Sequence, residues 1–316
     1  MVTLFTDPRM IEHQPPASHP EKPERLAAIL RHLKRTGLDT RCATGMVRPA
    51  TDEEILRVHS PSLVELYRRI QSPKLQQIEA DTWMSAGSEL AARLAAGAGI
   101  EAVNSVIQTP NRRALCLVRP PGHHARPAEP MGFCFYASVA IAAADALARH
   151  EMSRVLIVDW DVHHGNGTQE IFESDPRVGF LSIHRYPFYP GSGAADESGT
   201  GDGLGTKKNV PIAFGTSRAN YLAAFRSALH KMADKIKPEL IILSAGFDAH
   251  AEDPVGSLGL EEEDFVTMTK DVIEVAETHC QGRLVSVLEG GYNVSRLVGC
   301  VTAHLETLSS MGTVDA

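Results

Sequence analysis

The sequence predicts an α/β fold: one domain built around a central, mostly parallel β-sheet with helices on both faces. Short runs rich in β-branched residues alternate along the chain with longer segments of helical periodicity, an order typical of parallel sheets. The chain has 316 residues, 43% of them hydrophobic and 22% charged, which is enough to bury a sizeable core. Because no Pro/Ser-rich linker, repeat or charge block divides it, we predict a single domain over residues 1–316.

The strands of this sheet are predicted where short apolar runs, rich in Val, Ile and Leu, are bounded by polar or turn residues. These runs are residues 2–5, 114–118, 155–158, 178–183, 240–243 and 284–288. The helices are predicted where apolar residues recur at positions i, i+3 and i+4. These segments are residues 22–36, 61–71, 85–107, 138–149, 217–235, 261–279 and 293–308.

Two segments differ from the rest in composition. Residues 85–107 are unusually rich in Ala and Gly, which favours a helix packed closely against its neighbours. Residues 185–210 are rich in Gly, Pro and Ser and show little periodicity, so we predict a long loop there. Loops of that length inside a compact domain are usually functional, and we expect the same of this one.

The charge and cysteine content exclude several classes of protein. The formal net charge is −8, whereas nucleic-acid binding depends on clustered Lys and Arg, so no nucleic-acid partner is expected. The five cysteines form no Cys-x-x-Cys pair, which is typical of thiols in a reducing compartment. The N-terminus shows no signal-peptide pattern, and no stretch approaches the roughly 20 apolar residues of a membrane span. We therefore expect a cytoplasmic protein with no membrane partner.

The most informative stretch of the chain is LIVDWDVHHGNG, residues 156–167. Its apolar run is followed by Asp159, Asp161 and His163, and because alternate residues of a strand share a face, these side chains can project together. Carboxylate oxygens and imidazole nitrogens are suitable ligands for zinc. An isolated Asp-x-His after a core strand would more often be a polar loop, but here matching polar clusters follow other predicted strands.

Those polar clusters are expected to meet in space. Besides the Asp159 segment, they are the pair His123 and His124, the carboxylate of Asp248 and the phenol of Tyr292, each following a predicted strand. In open α/β sheets, ligands bind beyond the carboxyl ends of the strands. The clusters should therefore converge on one crevice.

The residue types in this crevice suit a catalytic zinc ion. Asp161, His163 and Asp248 would supply three protein ligands and leave coordination positions open. The metal would polarise an amide carbonyl and lower the pKa of a bound water molecule. We predict one such ion per chain; zinc is expected, although ligands of this kind also accept ferrous iron or cobalt.

The remaining polar side chains suit acid–base catalysis beside that ion. His123 and His124 are candidates for general base and general acid, because imidazole titrates near neutral pH. Tyr292, next to two glycines, is a candidate hydrogen-bond donor to a carbonyl oxygen as it becomes an oxyanion. Asp159 and Asn166 are candidates to orient the two histidines.

The chain resembles the zinc-dependent histone deacetylase superfamily, specifically its class II-like bacterial amidohydrolases. The matching segments occur in family order across nearly the whole chain. They are HPEKPERL (19–26), RPPGHHA (119–125), GFCFY (132–136), VDWDVHHGNGTQEIF (158–172), SIHRYPFYPGSG (182–193), SAGFDAH (244–250) and LEGGYN (288–293). Asn166, where some branches of the family have Asp, points to the class II side.

The resemblance implies an arginase-like α/β fold whose central parallel sheet has about eight strands flanked by helices. It implies an enzyme that hydrolyses an acetyl or other acyl group from acetyl-lysine or a related N-acetyl amine. His124 corresponds to the general base and acid, His123 to its electrostatic partner and Tyr292 to the residue that polarises the carbonyl. The zinc ligands of the family correspond to Asp161, His163 and Asp248.

The family also carries structural monovalent cations, usually potassium, and the resemblance implies one or two per chain. The first site corresponds to Asp159, Asp161, His163, Ser182 and Ile183, partly through backbone oxygens. The second corresponds to Phe172, Asp175 and Val178, mainly through backbone oxygens. The narrow tunnel that holds the acyl-lysine stem corresponds to Gly132, Phe133, Tyr189 and the region of Val255.

The substrate is left open by the sequence. Polyamine-preferring relatives carry an acidic residue seven positions after the ligand that matches Asp248, and this chain has Val255 there. That difference makes an acetylpolyamine or other small amide a less favoured substrate, but it does not exclude one. A binuclear manganese ureohydrolase would need further acidic ligands, and a non-catalytic acyl-lysine binder would be favoured by loss of Tyr292 or of a ligand. The acyl-chain preference and the oligomeric state, a homo-oligomer included, are also left open.

Overall fold

A central sheet of eight strands organises the computed structural model, which describes residues 1–70 and 74–310. The strands along the chain are β1 (Val2–Phe5), β2 (Ala43–Thr44), β3 (Gln76–Gln77), β4 (Trp83–Met84), β5 (Arg113–Cys116), β6 (Val155–Asp159), β7 (Val178–Arg185), β8 (Lys207–Ile212), β9 (Leu240–Ala245) and β10 (Leu284–Leu288). The sheet has the order β2-β1-β5-β10-β9-β6-β7-β8, and each of its pairings is parallel. β3 and β4 form a separate antiparallel pair. The predicted α/β fold is confirmed.

Helices cover both faces of the sheet. They are α1 (Glu24–Thr36), α2 (Asp52–Ile55), α3 (Pro61–Arg69), α4 (Ser88–Gln108), α5 (Ser138–Arg149), α6 (Asn166–Ile171), α7 (Arg218–Ile236), α8 (Glu262–Cys280) and α9 (Val294–Ser310). On one face α4 and α5 pack on each other and on the central strands. On the other face α7, α8 and α9 form a row, with α1 packed against α9. This cover explains why the central strands are apolar on both sides.

Local sequence signals set several helix boundaries. Ser217 caps α7 by accepting a hydrogen bond from a backbone N–H of the first turn. α8 begins with a capping box between Glu261 and Asp264, and α1 ends at Gly37 with a φ of +72°. Each predicted helix is present, although the last residue of segment 61–71 lies outside the described residues. α2 and α6 were not predicted because helices of four and six residues are too short to show periodicity.

The predicted loop over residues 185–210 is wrong at both ends. β7 continues to Arg185, and the edge strand β8 begins at Lys207. Burial alternates along the start of β8, where Lys207 is buried, Lys208 exposed and Asn209 buried. This strand was not predicted because charged and amide side chains are rare at buried strand positions. The two-residue strand β2 was also missed.

α4 is a core helix with close neighbours. A Cβ atom added to Gly99 would lie 3.2 Å from the Cβ of Ala142 on α5, so small side chains permit the close packing that the composition predicts. By length and hydropathy alone, α4 could cross a membrane, which corrects the expectation that no stretch approaches that length. However, 67% of its most apolar window is buried inside the protein, as in the core helix of a globular domain.

The strand order brings the polar segments together. β5, β10, β9 and β6 are neighbours in the middle of the sheet. β6 and β9 extend slightly beyond their predicted ends, to Asp159 and Ala245, so the polar segments begin directly at the sheet edge. Because these strands are parallel, the segments that follow them leave the sheet at the same edge.

Candidate active site

The three predicted metal ligands lie together at the carboxyl edge of the sheet. Asp161 and His163 follow β6, Asp248 follows β9, and a donor atom from each lies within 4.8 Å of the others. The Nδ1 atom of His163 is 3.0 Å from Asp161 Oδ1 and 3.2 Å from Asp248 Oδ2. Zinc bonds of about 2.0–2.2 Å in a tetrahedron put ligand atoms about 3.3 Å apart, so this spacing suits zinc.

Backbone N–H groups orient both carboxylates. Gly290 donates to Asp161 Oδ2 and Val162 donates to Asp248 Oδ1, each at 2.9 Å. Asp248 Oδ2 is buried and, apart from the ring of His163 at 3.2 Å, has no hydrogen-bond partner among the described residues. A buried carboxylate oxygen in that position is costly unless a cation binds it, so the residues present fit a metal ion.

The electrostatics of the cluster also favour a cation. Burial raises the pKa of Asp248 to about 7, and the charge of Asp161 adds to the increase. Burial lowers the pKa of His163, but the carboxylates of Asp161 and Asp248 outweigh this effect and raise it to about 9. Two carboxylates packed against one imidazole attract positive charge, and a divalent ion supplies it without a proton.

His123 and His124 lie beside this cluster, and each is oriented by its predicted partner. Their ring centroids are 4.0 Å apart. Nδ1 of His123 donates to Asp159 Oδ2 at 3.0 Å, and Nδ1 of His124 donates to Asn166 Oδ1 at 2.7 Å. With its Nδ1 acting as donor, a neutral His124 presents the lone pair of Nε2.

The surroundings of the two imidazoles shift their pKa values in opposite directions. Burial would lower the pKa of His123, but the carboxylates of Asp161 and Asp159 hold it well above its ordinary value. Burial lowers the pKa of His124, and the neighbouring His123 and His163 lower it further. These shifts favour a proton on His123 and a neutral His124, and a neutral imidazole is the form that a general base needs.

Tyr292 is held through both its ring and its backbone. The guanidinium carbon of Arg25 lies 5.0 Å from the Tyr292 ring centroid, and Arg25 also donates to the carbonyl oxygens of Glu289 and Gly291. Asp253 Oδ2 accepts the Tyr292 N–H at 2.7 Å. Burial raises the pKa of Tyr292 well above its ordinary value, so the phenol keeps the proton that a hydrogen-bond donor needs.

A pocket of about 230 Å³ opens onto the candidate ligand His163, onto His124 and onto Tyr292. The predicted tunnel residues all line it. Its walls are Asp81, His124, Gly132, Phe133, His163, Phe188, Tyr189, Val255 and Tyr292. Phe188, which the sequence analysis did not single out, stacks on His163 with centroids 5.3 Å apart. Because Phe188 lies in the matching segment 182–193, the sequence could have indicated it as a pocket residue. Asp81 lies between β3 and β4, far along the chain from the other pocket residues, so only the fold shows that it reaches the pocket.

Glu289 is a second residue that the sequence analysis missed, although it lies in the LEGGYN segment. Its Oε2 atom accepts the N–H groups of Gly122 at 2.7 Å and His123 at 3.2 Å. Its Oε1 atom accepts the Ser244 hydroxyl at 3.2 Å. Glu289 thus fixes the segment that carries the His pair to the ends of β9 and β10.

The residues assigned to the first monovalent cation lie at neighbouring strand ends. Asp159 at the end of β6 pairs with Ser182 of β7, and Ile183 follows in the same strand. Both Asp159 and Ser182 are fully buried. Asp159 Oδ1 accepts the Asp161 N–H at 3.1 Å, which links this group to the candidate metal ligands.

Two of the three residues assigned to the second monovalent cation contact a lysine. Phe172, Asp175 and Val178 lie at the turn between α6 and β7. Lys207 Nζ donates hydrogen bonds to the backbone carbonyls of Asp175 and Val178.

Comparisons with known proteins agree with this architecture. The profile of the histone deacetylase domain matches residues 19–308. A probable deacetylase of Archaeoglobus fulgidus is 39% identical over 286 residues, which cover 90% of this chain and 79% of that protein. The histone deacetylase-like amidohydrolase of Pseudomonas aeruginosa is 38% identical over 301 residues, which cover 94% of this chain and 79% of the relative.

A human relative and a solved structure extend the comparison. Human polyamine deacetylase HDAC10 is 41% identical over 300 residues, which cover 91% of this chain but only 44% of the longer human protein. The crystal structure of the HDA15 HD domain superposes with a TM-score of 0.92 at 37% identity, covering 98% of this chain and 89% of that domain. A domain profile that matches most of the sequence and a fold shared over nearly all of it show that this chain belongs to the histone deacetylase family.

Proposed function

We propose that the protein is a zinc-dependent deacetylase that hydrolyses the acyl amide of acetyl-lysine or a related N-acetyl amine. The observation that carries this proposal is the buried cluster of Asp161, His163 and Asp248, whose His163 lines one pocket together with His124 and Tyr292. Zinc held by these three ligands would act as a Lewis acid on the amide carbonyl and lower the pKa of water.

The proton states of the His pair support general base catalysis by His124. Its Nε2 atom is free to take the proton of the attacking water, because Nδ1 is engaged by Asn166. The same atom then returns a proton to the leaving amine nitrogen as the C–N bond breaks, releasing acetate and the free amine. His123, charged and held by Asp159, stabilises the negative charge that develops nearby.

Tyr292 supplies a hydrogen bond in the transition state. Its buried phenol stays protonated and lines the same pocket as His124. A donor aimed at the carbonyl oxygen stabilises the oxyanion, an effect typically worth about 3 kcal/mol. Phe133 and Phe188 give the pocket aromatic walls that suit an uncharged aliphatic stem.

The rim favours acyl-lysine over a cationic polyamine. Val255 in the pocket wall has no charge to attract a second ammonium group. Beside it, the guanidinium carbon of Arg185 lies 4.1 Å from the ring centroid of Phe188, and Arg185 donates to the Gly256 carbonyl. A fixed positive charge at this position repels a polyamine. The similarity to human polyamine deacetylase HDAC10 keeps an acetylpolyamine as the second candidate substrate.

The proposal is tested with protein of defined metal content. Metal analysis should find one zinc ion per chain, and the zinc form should hydrolyse an acetyl-lysine peptide faster than N-acetylputrescine. The same assay is repeated with peptides that carry longer acyl chains and with the ferrous form of the protein. Asp161→Ala should lose both the metal and the activity while it remains folded by circular dichroism. Protein without a bound divalent metal, or full activity of Asp161→Ala, would contradict the proposal.

Val255 provides the test of substrate class. We expect Val255→Glu to raise the ratio of kcat/KM for N-acetylputrescine over the peptide by about tenfold, which equals about 1.4 kcal/mol of differential binding. The matched control is Val255→Gln, which has a similar shape and no charge. Equal ratios in the Glu and Gln variants would show that charge at this position does not select the substrate.

A further inference from the structure

Lys207 is a buried lysine with a complete set of partners. It is 2% exposed, and its Nζ atom donates to the Val178 carbonyl at 2.8 Å, the Asp175 carbonyl at 3.2 Å and the Thr206 hydroxyl at 2.5 Å. An ammonium group has three N–H donors and no acceptor. The three oxygens therefore satisfy the whole group.

The fold of the sheet edge brings Lys207 to this position. Lys207 is the first residue of β8 and pairs with Phe180 of β7, so it lies beside the turn that leads into β7. Because successive side chains of a strand point to opposite faces, Lys207 points inward while Lys208 is exposed. Burial lowers the pKa of Lys207 to about 8, and the carboxylates of Glu173 and Asp175 partly offset that decrease, so the ammonium form still predominates at pH 7.

The same carbonyl oxygens are those expected to bind a second potassium ion. Asp175 and Val178 are two of the three residues assigned to that site, and the third carbonyl, of Phe172, accepts the Asp175 N–H at 3.0 Å. An ammonium group and a potassium ion carry the same charge and are similar in size. A potassium ion at these oxygens would have to displace a like charge from a buried position. The residues present therefore do not fit a second potassium ion.

We propose that the Lys207 ammonium replaces the second monovalent cation, so that the chain itself supplies the charge that this turn requires. The turn follows α6, whose first residue, Asn166, accepts the hydrogen bond from His124. A covalently attached cation holds the turn after α6 at any potassium concentration. Any dependence of the protein's stability on potassium concentration then comes from the first cation site, at Asp159 and Ser182.

The experiment is anomalous diffraction from crystals in which rubidium chloride replaces other monovalent salts. Wild-type protein should show no rubidium between the carbonyls of Asp175 and Val178. Lys207→Ala should show a new rubidium ion there, because the substitution removes the ammonium and leaves the carbonyl oxygens. The matched control is Lys208→Ala, which removes the exposed neighbouring lysine and should give the wild-type result.

Thermal unfolding tests the same idea in solution. Changing choline chloride to potassium chloride at equal concentration should raise the Tm of Lys207→Ala by at least about 3 °C more than that of wild type or Lys208→Ala. Rubidium at the two carbonyls of the wild type, with Lys207 displaced, would overturn the proposal even if Lys207→Ala failed to fold. A folded Lys207→Ala without the new ion and without the extra potassium response would also overturn it.

Discussion

His123 and His124 are adjacent in the chain, yet their surroundings shift their pKa values in opposite directions. Both are buried, and burial alone lowers the pKa of an imidazole. The difference comes from what faces each ring: carboxylates for His123, and a neutral amide with neighbouring imidazoles for His124. Residue identity supplies the two imidazoles, and their contacts decide which of them accepts a proton.

The role of Tyr292 is tested by removing only its hydroxyl. Tyr292→Phe should lower kcat for the acetyl-lysine peptide by at least about tenfold with little change in KM, because the lost hydrogen bond forms in the transition state. The Tm should stay near that of the wild type. Tyr186→Phe, outside the pocket wall, is the control. An unchanged kcat in Tyr292→Phe would remove the proposed oxyanion role.

Glu289 is expected to act as a positioning residue for the His pair. Glu289→Ala leaves the buried N–H groups of Gly122 and His123 without their acceptor, at about 1–3 kcal/mol each, and should lower kcat at least about tenfold. Glu289→Gln keeps a carbonyl acceptor and should recover most of that activity. Steady-state kinetics of both variants, with their Tm values, check this. Equal losses in the two variants would mean that the charge matters instead of the acceptor.

At the scale of secondary-structure elements, the site depends on how closely neighbouring strand ends approach. A Cβ atom on Gly290, after β10, would lie 2.2 Å from Asp248 Oδ2 and 2.5 Å from Asp161 Oδ2. Contacts this short do not occur between unbonded atoms, so only a residue without a side chain fits here. The glycine after β10 therefore lets segments from three strands share one metal cluster.

Gly290→Ala should consequently weaken zinc binding with the fold retained. We expect a loss of at least about tenfold in affinity, comparable to the loss of an orienting contact behind a metal ligand. Competition with a chelator measures the affinity, and circular dichroism reports the fold. Gly299→Ala on α9 is the control, because the atoms nearest its new Cβ belong to the end of the flexible Glu262 side chain. Wild-type zinc affinity in Gly290→Ala would contradict this account.

At the scale of the whole molecule, burial of neutral histidines makes the fold sensitive to acid. His304 bridges Thr269 of α8 and Ser286 of β10, and burial lowers its pKa to about 3. Burial also lowers the pKa of His59 to about 4. Because the unfolded chain protonates such histidines near pH 6.5, their contribution is complete above that pH and is lost as the pH falls towards the folded pKa.

His304→Gln should make the protein less sensitive to acid. The wild-type free energy of unfolding falls by up to about 1.4 kcal/mol per pH unit for each such histidine below pH 6.5. Between pH 6.5 and 4.5, His304→Gln should therefore lose about 2 kcal/mol less than the wild type. Urea unfolding at a series of pH values measures the difference, with the partly exposed His32→Gln as control. Parallel curves for the wild type and His304→Gln would refute the prediction.

The sequence by itself determined the fold class, the long helices and the residue types that meet at the candidate site. Periodicity and turn residues are local properties, so they identified the central strands and placed Asp161, His163 and Asp248 after them. Parallel strands send their carboxyl ends to one edge, which made the convergence predictable without coordinates. The edge strand β8 escaped this reasoning because its buried Lys207 looks like a surface residue in the sequence.

Only the tertiary structure decided the order of the strands, the proton states of the His pair and the partners of Glu289 and Lys207. Each of these depends on contacts between segments far apart in the chain. Burial and neighbouring charge set a pKa, and both are unknown until distant segments pack together. A lysine that appears solvent-exposed in the sequence is buried against backbone carbonyls in the folded chain, because strand pairing carries its ammonium to them.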